Sequence, residues 1–150
     1  MKFDEKLNIS QLVKCAENFN ETLVKAKTIE EKISTIDELN ESDPNYWYPF
    51  ARSAVIQVFE MTVEQSWKMM QRWVKINADN KIHEKPKREL FRAAHQSGLI
   101  SDPIKWWEFY EGRNKTSHAY QEEIAEEVYS LARKFAPYLS DFLKNLEARI

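Results

Sequence analysis

The sequence predicts an all-α protein, an antiparallel bundle of four to six helices that forms one domain over residues 1–150. Three observations support this prediction. The composition, with 43% hydrophobic and 31% charged residues, is that of one ordinary globular domain. Glycine occurs only twice, whereas a β-rich fold needs more glycine at its turns. Apolar residues recur with the helical period and are separated by short polar connections, which favours a bundle.

The first predicted helix is defined by an apolar stripe at helical spacing near the N-terminus. Its members are Leu12, Cys15, Ala16, Phe19, Leu23 and Ala26. Thr28 and Glu31 have the spacing of a capping box, which indicates either a second helix or a continuation of the first. Cys15 lies on the stripe, so it is more typical of a core residue than of a nucleophile.

A long helix is predicted next. Asp43 and Pro44 have the character of a cap and a first turn, and the pattern continues to about Asn77. Its apolar positions are Ala54, Val58, Met61, Trp67, Met70 and Val74. Because the aromatic-rich faces exceed what one small bundle hides easily, we also expect a homodimer.

Three further helices are predicted from residues that typically begin or end a helix. A basic stretch precedes a helix over 88–97, which Gly98 stops. Asp102 and Pro103 begin a short aromatic helix that Gly112 is expected to end. The last helix carries the apolar residues Ile124, Val128, Leu131 and Phe135, and Pro137 is expected to break or kink it.

Charge, cysteine content and hydropathy limit the function. The formal net charge of −2 means that RNA contact requires a local basic patch. One cysteine, no apolar signal segment and no long apolar run predict a cytoplasmic protein without a membrane partner. The three histidines are dispersed and no pair has the spacing of a zinc helix, so no metal site is expected. No cofactor is expected.

The segment most suggestive of chemistry contains Arg113, His118 and Tyr120, spaced as Arg-x4-His-x-Tyr. When the apolar stripe of the last helix is extended backwards at about 100° per residue, it reaches Ser117 and passes close to Arg113 and Tyr120. Asn114 and His118 fall on an adjoining face. A helix N-terminus favours anions, so Arg113, His118 and backbone N–H groups are expected to converge on a phosphate.

An alternative explanation of the same pattern is purely structural. Asn114 or Ser117 would cap a helix, and Arg113 would make a surface ion pair. Arg88 and His95 also fit a looser Arg-x6-His spacing, so spacing alone does not choose between the two pairs.

The segment 113–120 resembles the signature of the HEPN superfamily, and the Tyr two residues after His resembles HEPN toxins encoded beside minimal nucleotidyltransferases. The stretches 54–68 and 90–100 resemble the core helices of that family. The resemblance covers most of the chain after about Tyr48. Members have also been called nucleotidyltransferase substrate-binding proteins.

The resemblance implies a dimer with two Arg-x4-His motifs in one cleft, and metal-independent RNA cleavage through a cyclic phosphate. His118 would move a proton, Arg113 would stabilise phosphate charge, and Asn114 would hold the phosphate or orient His118. Because Arg88 and His95 lie outside the matching segment, they are discounted as a catalytic pair. The resemblance also implies that a partner minimal nucleotidyltransferase, the antitoxin, silences the toxin by transferring AMP to Tyr120.

Several residues outside the signature remain open to two interpretations. Glu60 is either an inward carboxylate that orients Arg113 or His118, or part of a solvated face. A basic group either steers RNA phosphates or forms a solvated surface; it includes Lys85, Lys87, Arg88 and Arg92. Two functions follow: an RNase toxin restrained by its partner, or a non-catalytic subunit that presents a nucleotide or substrate to a nucleotidyltransferase.

Overall fold

Five α-helices and two short 3-10 turns account for most of the residues that the computed structural model describes, 7–33 and 44–150. The helices are α1 (Ser10–Ile33), α2 (Pro44–Asn77), α3 (Lys87–Gln96), α4 (Pro103–Lys115) and α5 (Glu122–Glu147). The 3-10 turns are Ile82–Glu84 and Thr116–His118. No strand occurs within these ranges, and the predicted all-α class is confirmed.

Helix α1 is a single element up to Ile33. The Thr28 hydroxyl donates to the Val24 carbonyl oxygen at 3.1 Å, one turn back, so Thr28 lies inside the helix. The continuation is therefore the correct alternative, and the capping box at Thr28 is not formed. The predicted cap Asp43 lies outside the described residues.

Helix α2 has the predicted extent, and the predicted apolar face is confirmed in part: Met70 and Val74 are buried, and Val58 and Trp67 pack partly buried against the core. Ala54 and Met61 are exposed. The fully buried positions are Val55, Ile56, Phe59, Thr62, Val63, Ser66, Met69, Met70 and Val74. The hydroxyls of Thr62 and Ser66 donate to the carbonyl oxygens one turn back, at 2.6 and 2.7 Å. These internal hydrogen bonds let two polar side chains enter the core, which obscures the apolar period.

Helix α4 begins where the sequence predicts and ends later. Asp102 caps it by accepting from the backbone N–H groups of Ile104 and Lys105, at 3.0 and 3.1 Å. Gly112 does not end the helix. It is buried within α4, where an added Cβ would lie 2.2 Å from Cδ2 of Leu131. Because α4 approaches α5 closely there, a larger residue would require the Leu131 side chain to move.

The core is built around Phe135 of α5. Its ring lies 5.0 Å from Phe109, 5.3 Å from Trp106 and 5.4 Å from Phe59, measured between ring centroids. All four rings are essentially inaccessible to solvent, and such edge-to-face packing stabilises aromatic clusters. The cluster fixes α4 between α2 and α5, and α5 continues through Pro137 without a break. No helix of the described ranges is both long and apolar enough to cross a membrane.

Candidate functional site

The Arg-x4-His-x-Tyr segment lies at the C-terminal end of α4, which corrects the prediction that it begins the last helix. Arg113 and Asn114 are in the last turn of α4, His118 ends the 3-10 turn, and α5 starts only at Glu122. Extending the stripe of α5 backwards failed because the chain turns between the two helices. The free backbone groups at this end of α4 are carbonyls, so the expected anion site at a helix N-terminus is not formed.

Two hydroxyl side chains form hydrogen bonds with carbonyl oxygens at the C-terminal end of α4. Thr116 Oγ1 donates to the Arg113 carbonyl oxygen at 2.7 Å, and Ser117 Oγ donates to the Asn114 carbonyl oxygen at 3.2 Å. The first residue flanking α5 is Gln121, whose side chain makes no capping hydrogen bond. Neither Asn114 nor Ser117 is therefore an N-cap, and the structural alternative is also wrong on this point.

Arg113 is held by two carboxylates of α2. Its Nε donates to Oε2 of Glu64 at 2.8 Å, and its Nη2 lies 3.5 Å from Oε1 of Glu60. The Arg113 side chain is 27% exposed, so this is a partly enclosed ion pair. The sequence analysis named Glu60 as a possible partner and gave no role to Glu64, which makes the shorter contact. The available signal was the four-residue spacing of Glu60 and Glu64, which places them on one face of α2.

Glu64 also accepts a hydrogen bond from the Trp67 indole Nε1, at 3.1 Å. Partial burial favours the neutral carboxyl, but hydrogen bonds from Trp67 and Arg113 and the charges of Arg113 and Lys68 outweigh it. Together they hold the pKa of Glu64 below its usual range. Glu64 is therefore an ionised anchor that fixes one edge of the Arg113 guanidinium.

His118 and Tyr120, which follow Arg113 in the chain, are exposed at the surface. Tyr120 is 80% exposed, and its ring centroid lies 6.3 Å from that of His118. No hydrogen bond or ion pair involves the His118 ring among residues 7–33 and 44–150, and no contact joins it to Arg113. Asn114 is likewise exposed. One chain thus presents the imidazole, the phenol and the amide to solvent without closing a cleft around them.

A second ion cluster anchors the helix that follows the segment. Arg52 of α2 binds Glu122 through both terminal nitrogens, at 2.6 and 2.9 Å, and reaches Glu126 at 2.5 Å. The Tyr48 hydroxyl also donates to Glu126, at 3.0 Å; burial and this contact raise its pKa to about 12. The cluster ties the first turn of α5 to α2, and the sequence analysis did not identify it.

The basic group splits into two kinds of contact. Lys85 pairs with Asp79 at 2.6 Å, and Arg92 pairs with Glu89 at 2.8 Å. Lys87 and Arg88 instead lie over tryptophan rings.

His95 Nδ1 is 3.0 Å from the Ile100 carbonyl oxygen, so it serves the end of α3. Within the described residues, no three His, Cys, Asp or Glu side chains are arranged to hold a metal ion.

Three comparisons relate the chain to known proteins, and two of them span nearly all of it. A family model described as nucleotidyltransferase substrate binding protein like matches residues 7–148. The chain is 37% identical over 100 residues to the probable ribonuclease HepT of Haemophilus influenzae, covering 65% of this chain and 68% of that protein. A solved structure from the same species, described as a substrate binding domain of a nucleotidyltransferase, matches with a TM-score of 0.80. The identity is 27%, over 93% of this chain and 99% of that chain.

Proposed function

Since the chain belongs to the nucleotidyltransferase substrate binding protein like family, we propose that it is a metal-independent endoribonuclease, the toxin of a toxin–antitoxin pair. The observation that carries this proposal is that one short segment at the end of α4 supplies both an exposed imidazole, His118, and a guanidinium, Arg113, that Glu64 anchors. The similarity to a probable ribonuclease supports it.

The chemistry requires proton transfer and charge stabilisation. The ribose 2′-hydroxyl attacks the adjacent phosphorus, the bond to the 5′-oxygen breaks, and a 2′,3′-cyclic phosphate forms. The His118 imidazole is suited to take the hydroxyl proton or to protonate the leaving oxygen. Arg113 binds the non-bridging oxygens through its terminal nitrogens, of which Nη2 also lies 3.5 Å from Glu60, while Glu64 holds its Nε. Asn114 offers a further hydrogen bond to the phosphate.

Completion of the site requires a second copy of the chain. A base and an acid are both needed, and one chain offers a single histidine in the segment. A homodimer would place two such segments across one cleft. Large apolar side chains remain exposed in the single chain, among them Tyr46, Phe50 and Tyr120 at 46%, 62% and 80%, which supports association.

Control by a partner minimal nucleotidyltransferase acts on Tyr120. The phenol oxygen attacks the α-phosphorus of ATP, pyrophosphate leaves, and the phenolic proton is lost to a base. With 80% of the residue exposed, the hydroxyl is open to such an enzyme. The attached AMP adds bulk and a negative charge beside His118, blocking RNA and competing for Arg113.

A second function is favoured by one specific observation. Arg113 is already engaged by Glu64 and Glu60, as in a structural ion pair, and the solved relative is described as a substrate binding domain. In that case the chain presents a nucleotide or substrate to a nucleotidyltransferase. Incubating the purified protein with total RNA, with and without the nucleotidyltransferase and ATP, separates the two. A toxin cleaves alone and stops after AMP transfer, whereas a substrate-binding subunit cleaves in neither case.

A further inference from the structure

Two cations at the start of α3 lie against partly buried tryptophan rings. Nζ of Lys87 is 4.0 Å from the ring centroid of Trp67, and Cζ of Arg88 is 4.5 Å from that of Trp107. No carboxylate of the described residues pairs with either cation, in contrast to Lys85, which is neutralised by an acidic neighbour. The two positive charges therefore stay available to an anion.

Arg88 and Trp107 form two sides of a surface groove of 270 Å³. The other lining residues are Arg92, Pro103 and Ile104, and Ile104 is 70% exposed. An inorganic anion gains nothing from the apolar walls, and a purely apolar ligand gains nothing from the guanidinium. A nucleobase attached to a phosphate matches both, because bases stack on indole rings and on guanidinium planes.

The groove is connected to the Arg113 site through a row of rings. Trp107 lies 5.5 Å from Tyr110, and Tyr110 lies 6.3 Å from Trp67, between centroids. The Trp67 indole donates to the same Glu64 oxygen that receives Nε of Arg113. A continuous series of side-chain contacts on α2 and α4 therefore links the groove to the guanidinium.

The register of α4 places Asn114 on the same side of the helix as Trp107, whereas Arg113, six residues after Trp107, points about 120° away. Trp107 and Asn114 are seven residues apart on this helix, so they point within about 20° of each other, about 10 Å apart along the axis. One extended strand of RNA is long enough to contact both.

We propose that the Arg88–Trp107 groove is a stacking subsite for an unpaired nucleobase of the RNA that flanks the cleaved phosphate. This rests on the proposed ribonuclease function. The base lies against Trp107 and Arg88, and Lys87 binds a neighbouring phosphate. Since both faces of a stacked base must be free, the subsite selects single-stranded RNA and rejects duplex.

The test measures RNA binding apart from cleavage, in His118→Ala protein, by fluorescence anisotropy with an unstructured 12-nucleotide RNA. Arg88→Gln and Trp107→Leu should each weaken binding about tenfold. Lys87→Gln should reduce the slope of log affinity against log salt by about 0.7. Arg133→Gln removes the same guanidinium from the α1 side of the bundle, where it pairs with Glu30, and should change nothing.

Crosslinking with 5-bromouridine RNA provides a second measurement that does not depend on how well the Trp107 variant folds. The crosslink should map to the 103–115 peptide. Unchanged affinity in Arg88→Gln with crosslinks elsewhere would overturn the subsite, even if the wild type cleaves RNA. The subsite would also be overturned if Arg88→Gln and Trp107→Leu weakened binding of the nucleotidyltransferase but not of RNA. In that case the groove would be a contact surface for the partner protein. Binding as expected without cleavage by the wild type would instead refute the ribonuclease and keep the subsite.

Discussion

Nε of Arg113 donates to Oε2 of Glu64 at 2.8 Å, across 49 residues of sequence. Because the same oxygen accepts from the Trp67 indole, Glu64 is fixed on both sides and orients the guanidinium. In the proposed ribonuclease the terminal nitrogens of Arg113, of which Nη2 also lies 3.5 Å from Glu60, would face a phosphate. Glu64 is a positioning residue that acts through Arg113.

Replacing Glu64 by Ala should lower RNA cleavage about tenfold or more, because small displacements of a charge-stabilising group are costly. The pH profile should keep its shape, since the histidine is untouched. Glu60→Ala is the matched control and should have a smaller effect, because its contact with Arg113 is 3.5 Å. Equal activity of Glu64→Ala and wild type in single-turnover assays would remove the positioning role.

The contribution of the Glu64–Arg113 ion pair to the free energy of unfolding should depend on pH. The pKa of Glu64 is lower in the folded protein, so its contribution to stability is complete above the unfolded value, about 4.3. It is lost as the pH falls through the folded value. The difference in unfolding free energy between wild type and Glu64→Gln should therefore shrink on acidification, as measured by urea unfolding across a pH series. A difference that grows instead would reverse the assigned sign.

The Arg52 cluster should respond asymmetrically to substitution. Arg52 is 8% exposed, whereas the side chains of its partners Glu122 and Glu126 are 74% and 47% exposed. Arg52→Met leaves two carboxylates that water can solvate, so we expect a cost of about 1 kcal/mol or less. Glu122→Gln/Glu126→Gln leaves a buried, unpaired guanidinium and should cost about 2–3 kcal/mol. Thermal unfolding of both variants checks the order, and equal costs would contradict it.

Tyr120 provides the test of partner control. Co-expression with the nucleotidyltransferase should add one or more AMP masses that mass spectrometry maps to the Tyr120 peptide. Because the ring is exposed, Tyr120→Phe should keep the wild-type unfolding temperature while it escapes silencing. Tyr138→Phe, on the far part of α5, is the matched phenol-to-phenyl control and should still be silenced. Equal AMP incorporation in Tyr120→Phe would reassign the acceptor.

Local signals predicted the elements well and the site less well. The cap Asp102, the stop at Gly98 and the extent of α2 depend on signals within one or two turns, so the sequence was sufficient for them. Gly112 was misinterpreted as a helix end. The glycine lies where Leu131 of α5 packs closely against α4, and the local sequence does not reveal this tertiary contact. Glu64 was overlooked for a similar reason, since its partner Arg113 is brought to it only by the packing of α4 on α2.

The most direct test of the central claim is the cleavage of an unstructured RNA by purified protein in the presence of EDTA. We expect products ending in 2′,3′-cyclic phosphate with wild type and with the control His95→Ala. Arg113→Ala and His118→Ala, shown to be folded by circular dichroism, should form none. Cleavage that persists in His118→Ala, or that stops with EDTA and returns with added metal, would contradict the proposed ribonuclease.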